Sequence, residues 1–395
     1  MSVATSVNAL SATQQHVKTK VRFEGVDVLR GLIIVLMALD HTRDFWAPTS
    51  FQPEDIEHSN LAWFLTRWVT HLCAPLFVFL AGTSVWFQLQ RSNKVEVSRF
   101  LISRGLWLVF LEVTINTLSW HIPDMPPNIV LQVIWILGVS MLLMAAFIWL
   151  PLWVMVSLSV IMITGHNLLD DYTNNAFWWS LLHQSMMFNG GDDSALVVMY
   201  PLIPWPAIMI LGYLVGELYR GNKDELVNRL RVSALAMIVS FVVLRVLFTY
   251  GEPNAFLVYE DWQKTLMSFL NVTKYPPSLL YTLITLGVGL LLLSVVEQHS
   301  NKVTAIFKVF GRVPMFFYLL HIPVINLSAY YYNGLVYGQA RNMLMGPDNW
   351  PDNYEPSLLK LYIVWLLLVV GLYFACKSYG AFKQARPHQW WWRYL

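Results

Sequence analysis

The chain is poor in charged residues and in cysteine. Asp, Glu, Lys and Arg make up 13% of its 395 residues, against roughly 25% in soluble domains, while hydrophobic residues make up 56%. A net charge of +2 argues against a nucleic-acid partner. Cys73 and Cys376 lie in apolar runs without metal-ligand spacing, so each is expected to be a small buried side chain.

Sequence signatures of soluble enzymes are missing as well. The chain has no GxSxG elbow, no HExxH motif and no P-loop. Its histidines are scattered, so no metal site is predicted. The first twenty residues are polar and lack the apolar run of a signal peptide, which predicts a short tail.

Long apolar runs are abundant. Ten of them are close to or above the roughly 20 residues that cross a hydrocarbon core. They lie at 25–46, 61–89, 98–120, 127–149, 151–169, 196–219, 229–250, 275–297, 303–331 and 358–380. The sequence predicts an all-α, polytopic membrane helix bundle of about ten transmembrane helices at 23–380. A short N-terminal tail at 1–22 and an aromatic, membrane-anchoring C-terminal tail at 381–395 flank it.

Lysine and arginine favour one side of this arrangement. They concentrate before the first span, between spans two and three, six and seven, and eight and nine, and after the tenth. The opposite connections are acidic or neutral. Because short loops rich in Lys and Arg stay in the cytoplasm, both termini are predicted to be cytoplasmic. The expected location is the (inner) cell membrane, among its lipids.

The first span carries a charged face. Asp27, Arg30, His41 and Asp44, with Ile34 and Met37 between them, follow a three-four spacing that places them on one side of a helix. Arg30 and His41 are eleven residues apart, or roughly 16 Å along the axis, so they lie near the cytoplasmic and outer ends. Asp27 can neutralise Arg30, and Asp44 or Asp40 can orient the imidazole of His41. The alternative is an interfacial ion pair and a core histidine without chemistry.

Further polar residues lie within the second and third predicted spans. His71 falls in the outer half of the second span, where it could meet His41 near one depth. Arg104 and Glu112 are eight residues apart in the third span and share roughly one helix face. Ionisable groups at such depths normally face a cavity or a partner.

The ninth span and an outer loop add three more candidates. Arg312 lies near the inner end of the ninth span, and His321 lies deeper, as a polar cavity wall or as a packed core histidine. His58 lies in an acidic outer loop, either solvated or holding an acceptor. No chemistry is assigned to the remaining outer histidines, His121, His166 and His183.

Four segments carry a family resemblance. VDVLRGLIIVLMALDH, HLCAPLFVFLAGTS, TKYPPSLLYTLITLG and GRVPMFFYLLHIPVI, in this order, resemble bacterial relatives of heparan-α-glucosaminide N-acetyltransferase within the transmembrane acyltransferase superfamily. The resemblance covers roughly residues 22–380. The spacing of Arg30 and His41 is similar to the Arg-x10-His pattern of the O-acyltransferase branch, in which the histidine is held to be catalytic.

The chain departs from the lysosomal enzyme at these positions. That enzyme has asparagine at the position of His41, and its active histidine follows in the outer loop, where His58 is the nearest here. His71 stands where that enzyme has an acidic residue. Which histidine of this chain reacts is therefore open.

The resemblance implies transfer of an acyl group, expected to be acetyl, from cytoplasmic acyl-CoA to a hydroxyl or amine of an extracytoplasmic saccharide or glycolipid. Arg30, Arg104 and Arg312 would bind the polyanionic donor. His41 would act as base or acyl carrier. No metal is implied, and Gly- and Ala-rich helices would permit a homodimer.

Two other function classes fit the intramembrane charges. A secondary, proton-coupled transporter would use the same Arg, His and Asp residues, although the sequence shows no inverted repeat of the kind such folds often contain. A binding or sensor protein whose histidines report pH is the third alternative. Cleavage of labelled acetyl-CoA would separate an acyltransferase from both.

Overall fold

The computed structural model describes residues 24–123, 128–191, 194–247, 250–386, 389 and 394. Within these ranges the chain is mainly helical, with one small sheet. The predicted tail at 1–22 lies outside the described residues, as does most of 387–395.

The helices in chain order are α1 (Gly25–Trp46), α2 (Leu61–Trp68), α3 (Cys73–Leu89), α4 (Lys94–Leu111), α5 (Thr117–His121), α6 (Val133–Phe147), α7 (Leu152–Gly165), α8 (Phe177–Leu182), α9 (Trp205–Gly216), α10 (Lys223–Leu247), α11 (Trp262–Leu270), α12 (Leu279–Gln298), α13 (Lys302–Gly311), α14 (Pro314–Tyr337) and α15 (Leu358–Gln384). Short 3-10 segments join α2 to α3 and follow α7 and α9, and a π-helical segment, Glu112–Asn116, joins α4 to α5.

Six helical runs in the described part of the chain are long and apolar enough to cross a membrane. They are Leu61–Leu89, Lys94–His121, Leu152–Leu169, Lys223–Leu247, Leu279–Gln298 and Leu358–Gln384. The bent pair of α13 and α14 makes a seventh if it is one span. A multi-pass helical membrane protein is thereby confirmed, while the count of ten and the cytoplasmic termini stay predictions.

The other three predicted spans also contain helices. α1 has 22 residues but carries five charged side chains, and α6 and α9 have 15 and 12 residues. α6 and α7 are separate helices, because the chain turns after Phe147 and Pro151 precedes the first turn of α7.

The small sheet explains why α6 and α9 are shorter than predicted. Its strands are β1 (Ile129–Leu131), β2 (Met186–Gly191) and β3 (Ser194–Val198), in the order β1-β3-β2. β1 runs parallel to β3 and β2 antiparallel to it. The predicted spans at 127–149 and 196–219 therefore begin in paired strands rather than in helix.

Helix α1 lies at the centre of the bundle. It packs against α3, α12, α13, α14 and α15, and residues such as Leu29 and Ala38 are fully buried. Two glycines bring α1 into backbone contact with α13. A Cβ atom on Gly31 would overlap the carbonyl of Phe307, and one on Gly311 would overlap the carbonyl of Asp27.

A sharp bend follows that contact. α13 ends at Gly311, α14 begins at Pro314, and the two helix axes differ by 83°. Arg312 lies in the bend. Since Gly311 touches the first turns of α1, the bend places Arg312 at the Arg30 end of the bundle.

Candidate active site

Arg30 is anchored at the junction of three helices. Its guanidinium donates to Asp27 Oδ1 at 2.9 Å, to Ser84 Oγ of α3 at 2.9 Å, and to the carbonyl oxygen of Gly311 at 3.1 Å. The predicted pairing of Asp27 with Arg30 is confirmed. These bonds hold one edge of the guanidinium and fix its position beside the α13–α14 bend.

A basic cavity of about 330 Å³ opens at this end of the bundle. Arg30, Arg104 and Arg312, predicted as an anion site, all line it, and Lys383 from the last turn of α15 joins them. The structure thus brings together three arginines that are up to 282 positions apart in the sequence. Their combined positive charge, next to apolar walls, suits a ligand with phosphate groups and an apolar arm.

The apolar walls of the cavity come from several helices. They include Phe77 and Ala81 of α3, Phe100 of α4, and Leu137 and Met141 of α6. On α14, the cavity wall consists of Pro314, Met315 and Tyr318. The next turn of α14 carries His321, so the cavity ends one helical turn from that histidine.

His41 and His321 form a hydrogen-bonded pair. Nδ1 of His41 lies 2.7 Å from Nε2 of His321, although the residues are 280 positions apart. His321 is fully buried, whereas His41 is half-buried. The alternative of a packed core histidine is confirmed for His321, which also contacts a candidate catalytic side chain, whereas the basic cavity ends before it.

The hydrogen bonds determine the tautomers of the neutral pair. Nδ1 of His321 lies 2.7 Å from the carbonyl oxygen of Tyr318, which can only accept, so Nδ1 carries the proton. Nε2 of His321 then accepts the bond from Nδ1–H of His41. The lone pair of His41 is left on Nε2, where it can take a proton from a substrate.

Aromatic contacts hold the two imidazoles in place. Trp120 of α5 meets the His41 ring edge to face, with centroids 4.9 Å apart, and Phe317 stacks on His321 at 5.2 Å. Asn326 Nδ2 donates to the carbonyl oxygens of Ser119, Trp120 and Ile122, so α14 also fixes the end of α5. The pair is therefore preorganised on three packed helices.

Asp40 and Asp44 do not contact the His41 imidazole within the described residues. Both oxygens of Asp40 accept from Arg67 Nη1, at 2.9 and 2.8 Å, and Thr70 Oγ1 donates to Oδ1. Asp44 accepts from Arg43 Nη2 at 2.7 Å. The contact expected from Asp44 or Asp40 is made by His321 instead, because the neighbouring arginines compensate both carboxylates.

His71 lies near a second ion pair. Its Nε2 is 3.6 Å from Glu54 Oε1, which accepts from Arg67 Nε at 2.6 Å. Burial alone would raise the pKa of Glu54, but the charge of Arg67 and the neighbouring His71 outweigh it and hold that pKa well below its usual range. His71 itself is buried, with Tyr281 donating to its carbonyl oxygen. It thus belongs to the network around Arg67.

His58 and Glu112 take positions that suit structural roles. The side chain of His58 is 72% exposed and pairs with Asp55 at 2.6 Å, as expected of a solvated loop histidine. Glu112 is fully buried and accepts from Asn116 Nδ2 at 2.6 Å and from the backbone N–H of Trp135 at 2.8 Å. Its carboxylate therefore caps the first turn of α6.

The sequence gives little or no indication that two further residues line the cavity. Lys383 follows the last apolar run and resembles any basic residue at a membrane boundary. Tyr318 lies among the aromatic residues of a transmembrane helix, where nothing sets it apart. The presence of a histidine three residues later is the one local hint.

These features define a multi-pass membrane protein with a basic cavity at one end of a central helix and a paired histidine at the other. Residues 22–251 match the family model described as heparan-alpha-glucosaminide N-acetyltransferase, catalytic. The match covers more than half of the chain, so the protein belongs to this family, which indicates a membrane acetyltransferase. A search of curated proteins found no match. Arg312, His321 and Lys383 lie beyond the matched residues.

Proposed function

We propose that the protein transfers an acetyl group from cytoplasmic acetyl-CoA to an amine or hydroxyl of a saccharide-type acceptor on the other side of the cell membrane. One observation carries the proposal: a cavity with four basic side chains lies at one end of α1, and the half-buried His41, paired with the buried His321, lies at the other. The predicted topology places the Arg30 end on the cytoplasmic side.

The donor would enter the basic cavity. Arg30, Arg104, Arg312 and Lys383 would bind the phosphates of CoA, since guanidinium and ammonium groups match phosphate charge and geometry. The pantetheine arm would follow the apolar wall towards Tyr318. Arg30 and His41 are separated by roughly 16 Å along α1, a distance that an extended arm can span.

His41 would act as the general base. Its Nε2 takes the proton from the acceptor as the acceptor oxygen or nitrogen attacks the thioester carbonyl carbon. The carbon–sulfur bond breaks, the CoA thiolate leaves, and the imidazolium returns the proton to it. The products are an acetylated acceptor and free CoA, with no net change in protonation of the protein.

His321 would position the base. Its hydrogen bond keeps the His41 proton on Nδ1 and so keeps the lone pair on Nε2. This neutral orienting partner replaces the carboxylate that orients histidine in many hydrolases. Asp40 and Asp44 form ion pairs with arginines. They would therefore stabilise the C-terminal end of α1 without touching the reacting atoms.

The test uses purified full-length protein, acetyl-labelled acetyl-CoA and a panel of amino sugars and neutral sugars. Wild type should release CoA only with an acceptor, and the label should move to that acceptor. His41→Ala should lower the rate about 100- to 10,000-fold, the usual contribution of a general base. His58→Ala, which removes an exposed histidine, should leave the rate unchanged.

Three results would contradict the proposal. The first is full transfer by a folded His41→Ala protein, which removes the assigned base. The second is no thioester cleavage by wild type with any acceptor of the panel. The third is label held on His41 in the absence of acceptor, which makes this histidine an acyl carrier rather than a base.

A further inference from the structure

A second histidine cluster lies outside the proposed active site. His166 opens the 3-10 turn after α7, Asp170 follows that turn, and His183 ends α8. One ligand atom from each residue can be chosen so that all three lie within 4.8 Å of one another. Two of these residues are buried and Asp170 is half-buried. The assigned family and the proposed reaction give this cluster no role.

We infer that His166, Asp170 and His183 form a binding site for a divalent transition-metal ion of the zinc class. Two imidazole nitrogens and one carboxylate oxygen are the ligand set of many three-residue zinc sites. The same set disfavours Mg²⁺ and Ca²⁺, which prefer oxygen ligands. The inference goes beyond the acetyl transfer proposed above and does not depend on it.

Two of the three distances between ligand atoms are close to those of tetrahedral coordination. Zinc–ligand bonds of about 2.0–2.2 Å place neighbouring ligand atoms about 3.3–3.6 Å apart. Here His166 Nδ1 lies 3.4 Å from His183 Nε2, and His183 Nε2 lies 3.7 Å from Asp170 Oδ1. An ion between the three atoms therefore requires only small side-chain movements.

Neighbouring groups orient the ligands. Asn167 Nδ2 donates to Asp170 Oδ2 at 2.8 Å, which leaves Oδ1 directed at His183. Trp179 stacks on the His183 ring with centroids 5.4 Å apart. His183 Nε2 donates to the His166 carbonyl oxygen at 2.9 Å, and coordination would replace that bond as the proton moves to Nδ1.

A cavity adjoins two of the three ligands. Asp170 and His183 line a cavity of about 230 Å³, together with Asn167, Gln184 and Tyr275. A water molecule or another small ligand therefore has room to complete the coordination sphere. The ion would tie the end of α7 to the end of α8 and so stabilise the outer part of the bundle.

The first experiment titrates untagged, metal-free protein with Zn²⁺ and follows binding by calorimetry, with bound metal measured by mass spectrometry. One ion per chain is expected, with a rise in Tm as Zn²⁺ binds the folded state. Excess Mg²⁺ or Ca²⁺ should not displace it. Absence of Zn²⁺ binding by the wild-type protein would overturn the inference.

Paired variants locate the site. Asp170→Asn and His183→Gln should each weaken Zn²⁺ binding at least about 100-fold. Asp171→Asn removes the same charge from the adjacent, exposed residue and should bind Zn²⁺ like wild type. His58→Ala tests the surface His–Asp pair as an adventitious site. Equal losses in Asp170→Asn and Asp171→Asn, or loss in His58→Ala alone, would contradict the assignment.

Co²⁺ provides a readout that requires no variant. Bound at this cluster in wild-type protein, it should show the strong visible absorption of tetrahedral nitrogen and oxygen coordination, and one equivalent of Zn²⁺ should remove it. A weak octahedral spectrum, or a spectrum that Zn²⁺ leaves unchanged, would show that the three side chains do not form the site.

Discussion

Replacing His321 separates a positioning role from a purely structural one. His321→Phe keeps an aromatic ring between Phe317 and His41 but removes the nitrogen that accepts the 2.7 Å bond from His41. His41 Nδ1–H would lose its buried acceptor, at a cost of about 1–3 kcal/mol. If this cost raises the free energy of the transition state, kcat drops about 10- to 100-fold.

His321→Gln is the matched variant. Its amide oxygen can accept from His41, and its amide nitrogen can donate to the Tyr318 carbonyl that His321 now uses. We expect this variant to keep kcat within about tenfold of wild type. The KM for acetyl-CoA should stay unchanged in both variants, since the donor cavity ends one turn before residue 321.

The assay measures CoA release against acetyl-CoA concentration, at saturating acceptor, with Tm as a check on folding. A lower kcat at constant KM identifies an interaction that acts on the chemical step. Wild-type kcat in a folded His321→Phe protein would refute the reasoning. An equal loss of kcat in the Gln and Phe variants would also refute it, because that result is expected if His321 only fills space.

Three further outcomes follow from the structure. Arg312→Ala should raise the KM for acetyl-CoA about tenfold through loss of one phosphate contact. Arg91→Ala, which removes an exposed arginine outside the cavity, should leave this KM unchanged. Equal KM values for the two variants would refute the donor site. Glu54→Gln should destabilise the protein by about 2 kcal/mol at pH 7. Because Arg67 and His71 hold the pKa of Glu54 below its unfolded value, that stabilisation is full above about pH 4.3 and is lost as pH falls through the folded-state pKa. The Tm difference between wild type and Glu54→Gln should therefore shrink in acid, and a constant difference would contradict the assignment. Gly31→Ala should lower stability by about 3 kcal/mol or more through overlap with a backbone carbonyl. Gly371→Ala, with open space around it inside α15, should be neutral or slightly stabilising. Similar Tm values for the two variants would count against the α1–α13 contact.

The sequence predicts much of the helical framework because hydrophobic length is a local property. The first predicted span, 25–46, has the same bounds as α1, and the last begins where α15 begins, at Leu358. The sequence does not predict the β-sheet, because β1 and β3 pair across 67 positions, from Ile129 to Leu196. Apolar strands of three to six residues cannot be told from helix ends by hydropathy alone.

In the candidate site, too, the sequence predicts local features but not long-range contacts. The common face of Arg30 and His41 follows from helical periodicity, and Asp27 was correctly paired through a local spacing. The spacing of His41 and Asp44 suggested a similar pair, but the adjacent Arg43 takes the carboxylate. The His41–His321 bond joins residues 280 positions apart, and no local pattern contains that information.

The cluster of His166, Asp170 and His183 has one local signal in the sequence. His166 and Asp170 are four residues apart at the end of a helix, which is a spacing that places two ligands side by side. The third residue, His183, comes from a different helix, so spacing alone could not complete the set.

The central claim is that donor and acceptor meet from opposite sides of the membrane. The direct measurement uses proteoliposomes with one protein orientation, a membrane-impermeant amino sugar sealed inside, and labelled acetyl-CoA outside. With the Arg30 end outward, the sealed sugar should become labelled, and His41→Ala should abolish this labelling. Label that appears only on sugar supplied in the same compartment as acetyl-CoA would contradict the claim.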